Sequence, residues 1–222
     1  MARAVRSHRL SLIGVSVLVG SFVNGPLDGQ NSIGLTISLA PIPVQVTETA
    51  GNESSQLNGI ALGGRAGVTW RKLRLDVRYL EGGLSSEADG PDEDIVEGEL
   101  MLGFAPLSWL TLRLGPHIRS FVTSQGTQRW IFWEGHATGA VELGSPRLLS
   151  YLDLWYVFAA NVDAVEPFDQ GLGIEGGIRL TMDRLPLFAK LAYRIDQSSL
   201  GDGSRTNTVE HMVFAIGWML RR

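Results

Sequence analysis

The chain has 222 residues, of which 44% are hydrophobic, 19% are charged and 27 are glycine. The hydrophobic fraction is too high for a disordered chain, and the length suffices for one or two domains. The absence of cysteine excludes disulfides, thiolate catalysis, zinc–thiolate sites and iron–sulfur clusters. The formal net charge of −4 argues against a nucleic-acid binder, because such a protein needs a clustered basic face.

The first thirty residues are predicted to be a secretory signal peptide. Three arginines within the first nine residues are followed by an uncharged apolar run at 10–23 and then by turn-forming residues. This run is too short for a membrane-spanning helix, which needs about 20 apolar residues. The sequence therefore divides into a signal peptide at 1–30 and an exported domain at 31–222.

Beyond residue 31, apolar and polar side chains alternate with a period of two, which indicates β-strands with two different faces. From Leu73 to Tyr79, every odd position is apolar and every even position is charged. The pattern predicts about ten strands, at 32–47, 56–70, 73–83, 94–106, 109–123, 128–143, 148–162, 169–183, 186–198 and 207–221.

Prolines and glycine mark two irregular places in these strands. Pro41 and Pro43 lie in the first strand, where each removes a hydrogen-bond donor, so that this strand either bends or ends at Ala40. If residues 32–56 are partly loop, the number of strands falls to eight. The pair Gly115-Pro116 predicts a β-bulge in the fifth strand.

Short and long connectors alternate along the predicted strands. The short ones are Arg71-Lys72, Leu107-Ser108, residues 144–147 and Arg184-Leu185, and the long ones are centred on 48–55, 84–93, 124–127, 163–168 and 199–206. This is an up-and-down meander with all its short turns at one end, as in transmembrane β-barrels. A closed barrel pairs every backbone group, which lipid requires because it offers no hydrogen bonds.

The polar face is predicted to line the lumen and the apolar face to meet lipid. Acids and bases on the polar face are nearly balanced and can neutralise one another, and the chain has only two lysines, few for a surface in water. A soluble periplasmic barrel with the opposite orientation is the least favoured alternative. The predicted lumen charge network consists of Arg65, Arg74, Asp76, Arg78, Glu97, Glu99, Arg113, His117, Arg119, Glu134, Glu175, Arg179, Lys190 and Arg194.

Aromatic residues near the predicted strand ends are expected to form two belts at the membrane interfaces, where their amphipathic rings are favoured. The belt residues are Trp70, Trp109, Tyr151 and Trp218 near the short turns, and Trp130 and Trp133 near a long loop.

With these features, the chain from residue 31 to 222 resembles small single-chain bacterial outer-membrane β-barrel proteins. The resemblance is architectural, and no motif matches a particular subfamily. Members commonly end in an aromatic residue that the assembly machinery reads, whereas this chain ends in Leu220-Arg221-Arg222. The resemblance implies a location in the bacterial outer membrane, contact with its lipid, and insertion by the barrel-assembly machinery.

The expected function is that of an integral outer-membrane protein, either structural or a narrow passive channel for ions and small solutes. The channel hypothesis depends on an acidic strand with Glu97 and Glu99, flanked by two basic strands, which should form a ladder of ion pairs in the lumen. A barrel enzyme that hydrolyses lipid or peptide is one alternative, with His117 or His136 as the residue to test. Neither lies in a known catalytic motif, so no catalytic, cofactor or metal site is predicted. Binding or adhesion through the loops at 48–55 and 84–93 is the other alternative.

Overall fold

The computed structural model describes residues 33–86, 91–124, 126–182 and 184–221, with no side-chain description for residue 221. The predicted signal peptide lies outside the described residues. No helix in the described part of the chain is long and apolar enough to cross a membrane.

The described residues form ten antiparallel strands that close into one barrel in the order β1-β10-β9-β8-β7-β6-β5-β4-β3-β2. The prediction of an all-β up-and-down barrel is confirmed, with ten strands rather than eight. The strands are β1 (Ile33–Ala50), β2 (Glu53–Trp70), β3 (Leu73–Ser86), β4 (Glu93–Leu107), β5 (Leu110–Val122), β6 (Thr127–Glu142), β7 (Leu148–Val162), β8 (Phe168–Thr181), β9 (Leu187–Leu200) and β10 (Arg205–Arg221).

Four of the five connectors opposite the short turns are shorter than the sequence pattern suggests. Ala50 pairs with Glu53, so that only Gly51 and Asn52 join β1 to β2, and the loop predicted at 48–55 was wrong. Gly51 takes a φ of 60°, which its lack of a Cβ permits. The polar residues of this segment are strand residues whose outer face meets water. The end of the barrel with these connectors is called the loop half, and the end with the four short turns is called the turn half.

The two irregular places differ from expectation. β1 does not end at Ala40: it pairs with β2 without interruption, and only its pairing with β10 is skipped at residues 40–43, around Pro41 and Pro43. Proline lacks the N–H that this ladder needs. The predicted bulge does not form at Gly115-Pro116: the register of β5 is constant there on both sides, although the pairing with β4 is skipped at these two residues. The register shifts instead between Phe104 and Leu107 in the β4–β5 ladder and between Trp133 and Glu134 in the β6–β7 ladder.

In the turn half, the outer face is apolar and the inner face is charged. Leu75 is 46% exposed and Ile216 is 68% exposed on the outside, whereas the inward Asp76 and Asp153 are 1% and 4% exposed. This polarity is the inverse of that in a soluble barrel and fits a barrel surrounded by lipid. On β1, the outward apolar residues run from Ile33 to Pro43, and this stretch spans about 25 Å of membrane at a strand tilt of about 40°.

In the loop half, the polarity reverses. On β3, the inward side chains change from charged to apolar at Leu80, which is fully buried, while the outward side chains change from Val77 to Glu81. On β9, Leu200 is buried inward, and Gln197 faces outward. The strands therefore extend beyond the apolar band into water, where the barrel packs like a soluble one. The sequence pattern suggests a polar lumen along the whole strand length, and the structure limits the charged lumen to the turn half and the middle of the barrel.

Candidate functional site

The lumen belt is the set of inward charged and histidine side chains in the turn half and the middle of the barrel. All fourteen residues of the predicted network lie on inward positions of their strands. The inward face carries four further buried members, His136, Asp153, Asp196 and His211. Strand parity identifies them as well, because each lies two residues from an inward neighbour on its strand.

Glu97 on β4 is the hub of the lumen belt. Arg119 Nε donates a hydrogen bond to Glu97 Oε1 at 2.5 Å, and Arg78 Nη2 donates to Glu97 Oε2 at 2.5 Å. Glu97 is 1% exposed, and the two arginines come from the neighbouring strands β5 and β3. The predicted ladder between an acidic strand and two basic strands is therefore formed around this carboxylate.

A chain of alternating carboxylates and imidazoles crosses from β7 to β5. Asp153 accepts hydrogen bonds from Arg113 and from His136 Nδ1, the latter at 3.0 Å. His136 Nε2 lies 3.1 Å from Glu134 Oε2, and Glu134 Oε1 lies 2.8 Å from His117 Nδ1. Both ring nitrogens of His136 contact carboxylates, and Arg113 Nη2 also lies 3.3 Å from Nδ1, so this ring is shared among three charged partners.

A second cluster links β9 to β4 and β7. Arg194 Nε donates to Asp196 Oδ2 at 2.7 Å, and its Nη1 donates to Glu99 Oε2 at 3.3 Å. The Arg194 guanidinium lies 4.3 Å from the centre of the Trp155 ring, and the Trp155 indole N–H donates to Asp196. These contacts tie strands that are far apart in the wall to one another across the lumen.

Towards the turn end, the belt has partly exposed members. The side chain of Arg74 is 34% exposed and pairs with Asp76 at 2.5 Å. Glu175 accepts hydrogen bonds from Lys190 Nζ at 2.8 Å and from the Tyr151 hydroxyl at 2.6 Å. The belt is thus more accessible from the turn end than from the loop end.

An apolar plug fills the lumen on the loop side of the lumen belt. Its side chains come from most of the strands and are all below 5% exposure: Val44, Val46, Leu80, Leu84, Ile95, Phe121, Trp130, Phe132, Val157, Leu200 and Val209. The rings of Trp130 and Phe132 meet edge to face with centroids 5.9 Å apart. Belt and plug together occupy the barrel interior along most of its length.

Two of the six aromatic residues predicted for the membrane interfaces were assigned to the wrong face. Trp130 is 1% exposed inside the plug, and Tyr151 points inward to Glu175. Trp130 has the same parity as the inward Phe132, and Tyr151 has the same parity as Asp153. The other four face outward and are between 46% and 58% exposed: Trp70, Trp109, Trp133 and Trp218.

A small charge cluster lies at the loop end, outside the apolar band. Arg205 Nε pairs with Glu48 Oε1 at 2.9 Å, and Arg205 Nη1 pairs with Glu166 Oε2 at 3.4 Å. The hydrogen bonds to Glu48 and the charges of both carboxylates raise the pKa of Arg205. Burial and the nearby Glu48 raise the pKa of Glu93. The cluster joins the β1, β10 and β7–β8 ends of the barrel.

The lumen belt offers metal-ligating side chains but no recognisable hydrolytic arrangement among the described residues. His117, Glu134 and Asp196 each present one ligand atom, all within 4.8 Å of one another. The hydrogen-bond partners of His117 and His136 are carboxylates and Arg113, and Ser120 lies on the face opposite to His117. The arrangement suits ion pairing, proton sharing and cation binding.

No protein-family profile and no curated protein matches the chain. Among solved structures, the outer membrane protease OmpT from Escherichia coli is similar, with 10% sequence identity, a TM-score of 0.55, and coverage of 85% of this chain and 97% of that chain. Neisserial surface protein A is 12% identical over 84% of this chain and 96% of that chain, with a TM-score of 0.39. The translocator domain of the autotransporter NalP from Neisseria meningitidis is 10% identical over 86% and 89%, with a TM-score of 0.44.

The likeness to OmpT shows the fold and nothing finer at this level of identity. It is the fold of bacterial outer-membrane β-barrels, and it is consistent with the apolar outer band and the charged lumen described above. The chain accordingly has the fold of outer-membrane β-barrels, as the sequence pattern predicted.

Proposed function

We propose that this chain is a closed barrel with a structural role in the outer membrane rather than an open channel. The observation that carries the proposal is the filled interior, which holds the paired lumen belt in the turn half and the middle and the apolar plug in the loop half. Glu97, His117 and Arg119 are at most 1% exposed, and so are Leu80 and Leu84. A water-filled path needs exposed polar groups along its length, which this stretch of lumen does not offer.

A narrow passive channel is the less supported half of the hypothesis drawn from the sequence. A charged constriction selects ions by facing a water column, but these belt charges face one another at hydrogen-bond distance. A ten-stranded barrel is only slightly wider than the eight-stranded barrels that side chains fill, so paired arginines and carboxylates are sufficient to occupy it.

An enzymatic role and loop-mediated binding have less support. The similarity to a protease is one of fold, and the two belt histidines that contact carboxylates lack a serine partner among the described hydrogen bonds. The loop at 48–55, one of two proposed for binding, is a two-residue turn. Outer-membrane lipid remains the proposed partner of the apolar band, with the assembly machinery acting during insertion.

Two measurements test the proposal. Boiled and unboiled samples of the purified barrel are first compared on an SDS gel, where a folded membrane barrel changes mobility on heating. The folded protein is then added to planar lipid bilayers beside an open porin as a positive control. We expect no discrete conductance steps from this chain. Salt-dependent steps whose size or ion selectivity changes in an Arg113→Glu variant would overturn the closed-barrel proposal in favour of a channel.

A further inference from the structure

A groove lies on the outer face of the barrel where the first and last strands meet. It extends over β8, β9, β10, β1 and the middle of β2, and its volume is about 810 Å³. This volume is within the range of about 300–1,000 Å³ that is typical of sites for small ligands. The outward side chains that line this outer groove are all apolar, among them Leu39, Leu62, Leu180, Ala189, Ile216 and Trp218. The lining therefore suits a hydrocarbon chain.

The outer groove results from one short side chain among long ones. Ala189 on β9 pairs with Leu180 on β8 and with Ile216 on β10, and all three side chains face outward. Leu39, Leu62 and Ile216 are 66–68% exposed, which places them among the most exposed apolar side chains of the outer face. They form walls beside the space that the short side chain of Ala189 leaves open.

The outer groove also covers an interruption in the ladder between the terminal strands. Leu39 pairs with Ile216, but the next four residues of β1 have no partners on β10 until Val44 pairs with His211. Pro41, which lines the groove, has no N–H for this ladder. A molecule that packs in the groove therefore contacts both strands where ladder hydrogen bonds are missing.

The length and position of the outer groove fit one acyl chain. On β10 it runs from Phe214 to Trp218, which is about 14 Å at the usual rise of a strand. One leaflet provides about half of an apolar thickness of about 25 Å. The groove begins close to the β8–β9 turn, because Leu180 is followed by Thr181, the last residue of β8. An acyl chain from the leaflet on the turn side therefore matches the groove in length.

The turn end and the loop end of the barrel carry opposite charges. Among the described residues, the charged residues of the four short turns are all basic, and those of the loop-end connectors are all acidic. The basic residues are Arg71, Lys72, Arg147 and Arg184, and the acidic residues are Asp92, Asp163, Glu166 and Asp202. Arg184 is exposed in the β8–β9 turn, and Asp183 beside it lies outside the described residues. Short turns of outer-membrane barrels are periplasmic, so the basic end belongs to the periplasmic leaflet.

We propose that the outer groove binds one acyl chain of an anionic phospholipid of the periplasmic leaflet, with the phosphate at Arg184 and the glycerol region beside Trp218. The inference rests on the proposed function, in which lipid covers the apolar band. Guanidinium groups form charge-assisted hydrogen bonds with phosphate, and tryptophan favours the membrane interface. A headgroup with net negative charge is preferred because the turn end is basic. The bound lipid holds β1 against β10 across the interrupted stretch of the ladder.

The test counts lipids on the folded barrel by native mass spectrometry in detergent. The barrel is titrated with phosphatidylglycerol or with phosphatidylcholine that has the same acyl chains. We expect the first phosphatidylglycerol to bind about 5-fold more tightly than phosphatidylcholine, as expected for one arginine beside an anionic headgroup, and more tightly than any further lipid. In Arg184→Gln this preference should disappear. In Ala189→Trp, whose indole fills the groove, the tightly bound lipid itself should be lost.

Two variants on the far side of the barrel are matched controls. Ala137→Trp adds the same indole to the outer face of β6, and Arg147→Gln removes an arginine from the β6–β7 turn. Both should bind lipid as the wild type does, and heat-dependent gel mobility establishes that each variant is folded.

Three outcomes overturn the inference. The first is a folded wild-type barrel without a tighter first lipid, and the second is an Ala189→Trp variant that binds lipid as Ala137→Trp does. The third is a dimer that Ala189→Trp abolishes, because the groove then holds a second copy of the chain. None of these outcomes bears on the conductance test of the closed barrel, whereas a wild-type barrel without a heat-dependent shift contradicts the proposed function as well.

Discussion

The ion pair between Arg113 and Asp153 allows a quantitative test of the lumen belt. Both residues are buried, at 8% and 4% exposure, and Asp153 also accepts hydrogen bonds from His136 and from the Thr138 hydroxyl, the latter at 2.7 Å. In Asp153→Asn, the guanidinium loses its short-range counter-charge and cannot release its proton. Glu99, at 3.8 Å, remains as a weaker partner. Breaking a buried pair in this way is expected to lower the free energy of unfolding by about 3–5 kcal/mol.

Removing the arginine instead of the aspartate is expected to lower the free energy of unfolding by a smaller amount. The double variant is expected to lose less than the sum of the two single losses. In Arg113→Met, Asp153 keeps the contacts with His136 and Thr138. In Arg113→Met/Asp153→Asn, neither charge is left, and His136 can lose the proton on Nδ1. The double-mutant cycle should therefore give a coupling energy of about 2 kcal/mol, within the range found for contacting groups.

Reversible urea unfolding of the barrel in lipid vesicles, followed by tryptophan fluorescence, measures the four free energies. Glu53→Gln is the control, since Glu53 is exposed at the loop end, and its unfolding free energy should stay within about 0.5 kcal/mol of the wild type. If the effects of the two lumen substitutions simply add within about 0.5 kcal/mol, the paired arrangement of the belt is refuted.

Three further predictions concern the loop half and the outer face. Leu84→Ala should cost about 2–5 kcal/mol of unfolding free energy, because Leu84 is buried in the plug, whereas Leu62→Ala, at a position 68% exposed towards lipid, should cost less. In the same assay, Leu75→Arg should cost about 2–4 kcal/mol because it places a charge in the apolar band, whereas Gln197→Arg on the outer face of the loop half should be tolerated. Because burial and Glu48 raise the pKa of Glu93 in the folded chain, the stability that its protonated form contributes is present below the unfolded pKa and is lost as the pH rises through the higher folded pKa. Glu93→Gln should remove this contribution to the pH dependence, which unfolding at several pH values measures.

The strands of the barrel could be predicted from the sequence because apolar and polar side chains alternate wherever one face of a strand meets lipid and the other faces the lumen. The predicted strand at 148–162 matches β7, and the others differ mainly at the loop end. There, the polar segment around Gly51-Asn52 has the composition of a loop, yet it pairs residue by residue in the structure. Composition could not separate these two cases, because a strand whose outer face is in water carries the same polar residues as a loop.

The lumen charges could be predicted by parity, but their pairing could not. Parity places Glu97 and Arg119 inward, and the hairpin between their strands brings them opposite each other. The contact between Arg194 and Glu99 joins residues 95 positions apart and depends on barrel closure and shear, which no local pattern contains. His211 was missed as a belt member because its neighbours on the inward face, Val209 and Val213, are apolar.

The position of the plug explains how a membrane barrel can carry a charged interior without becoming a pore. In the apolar band, lipid covers the outside, so the interior is the one place where charged side chains can lie, and they pair with one another. Above the band, water covers the outside, and the hydrophobic effect then favours apolar side chains such as Leu80 and Ile95 in the interior. Where the ten strands leave the membrane, their inner face thus changes from charged to apolar and their outer face from apolar to polar. The apolar side chains of the inner face fill the loop end. In the proposed closed barrel, the loop end is thus sealed because the strands are longer than the membrane is thick. On this argument, shortening the strands at the loop end would remove the plug and expose the belt to water, and only then would the paired charges be able to act as a filter.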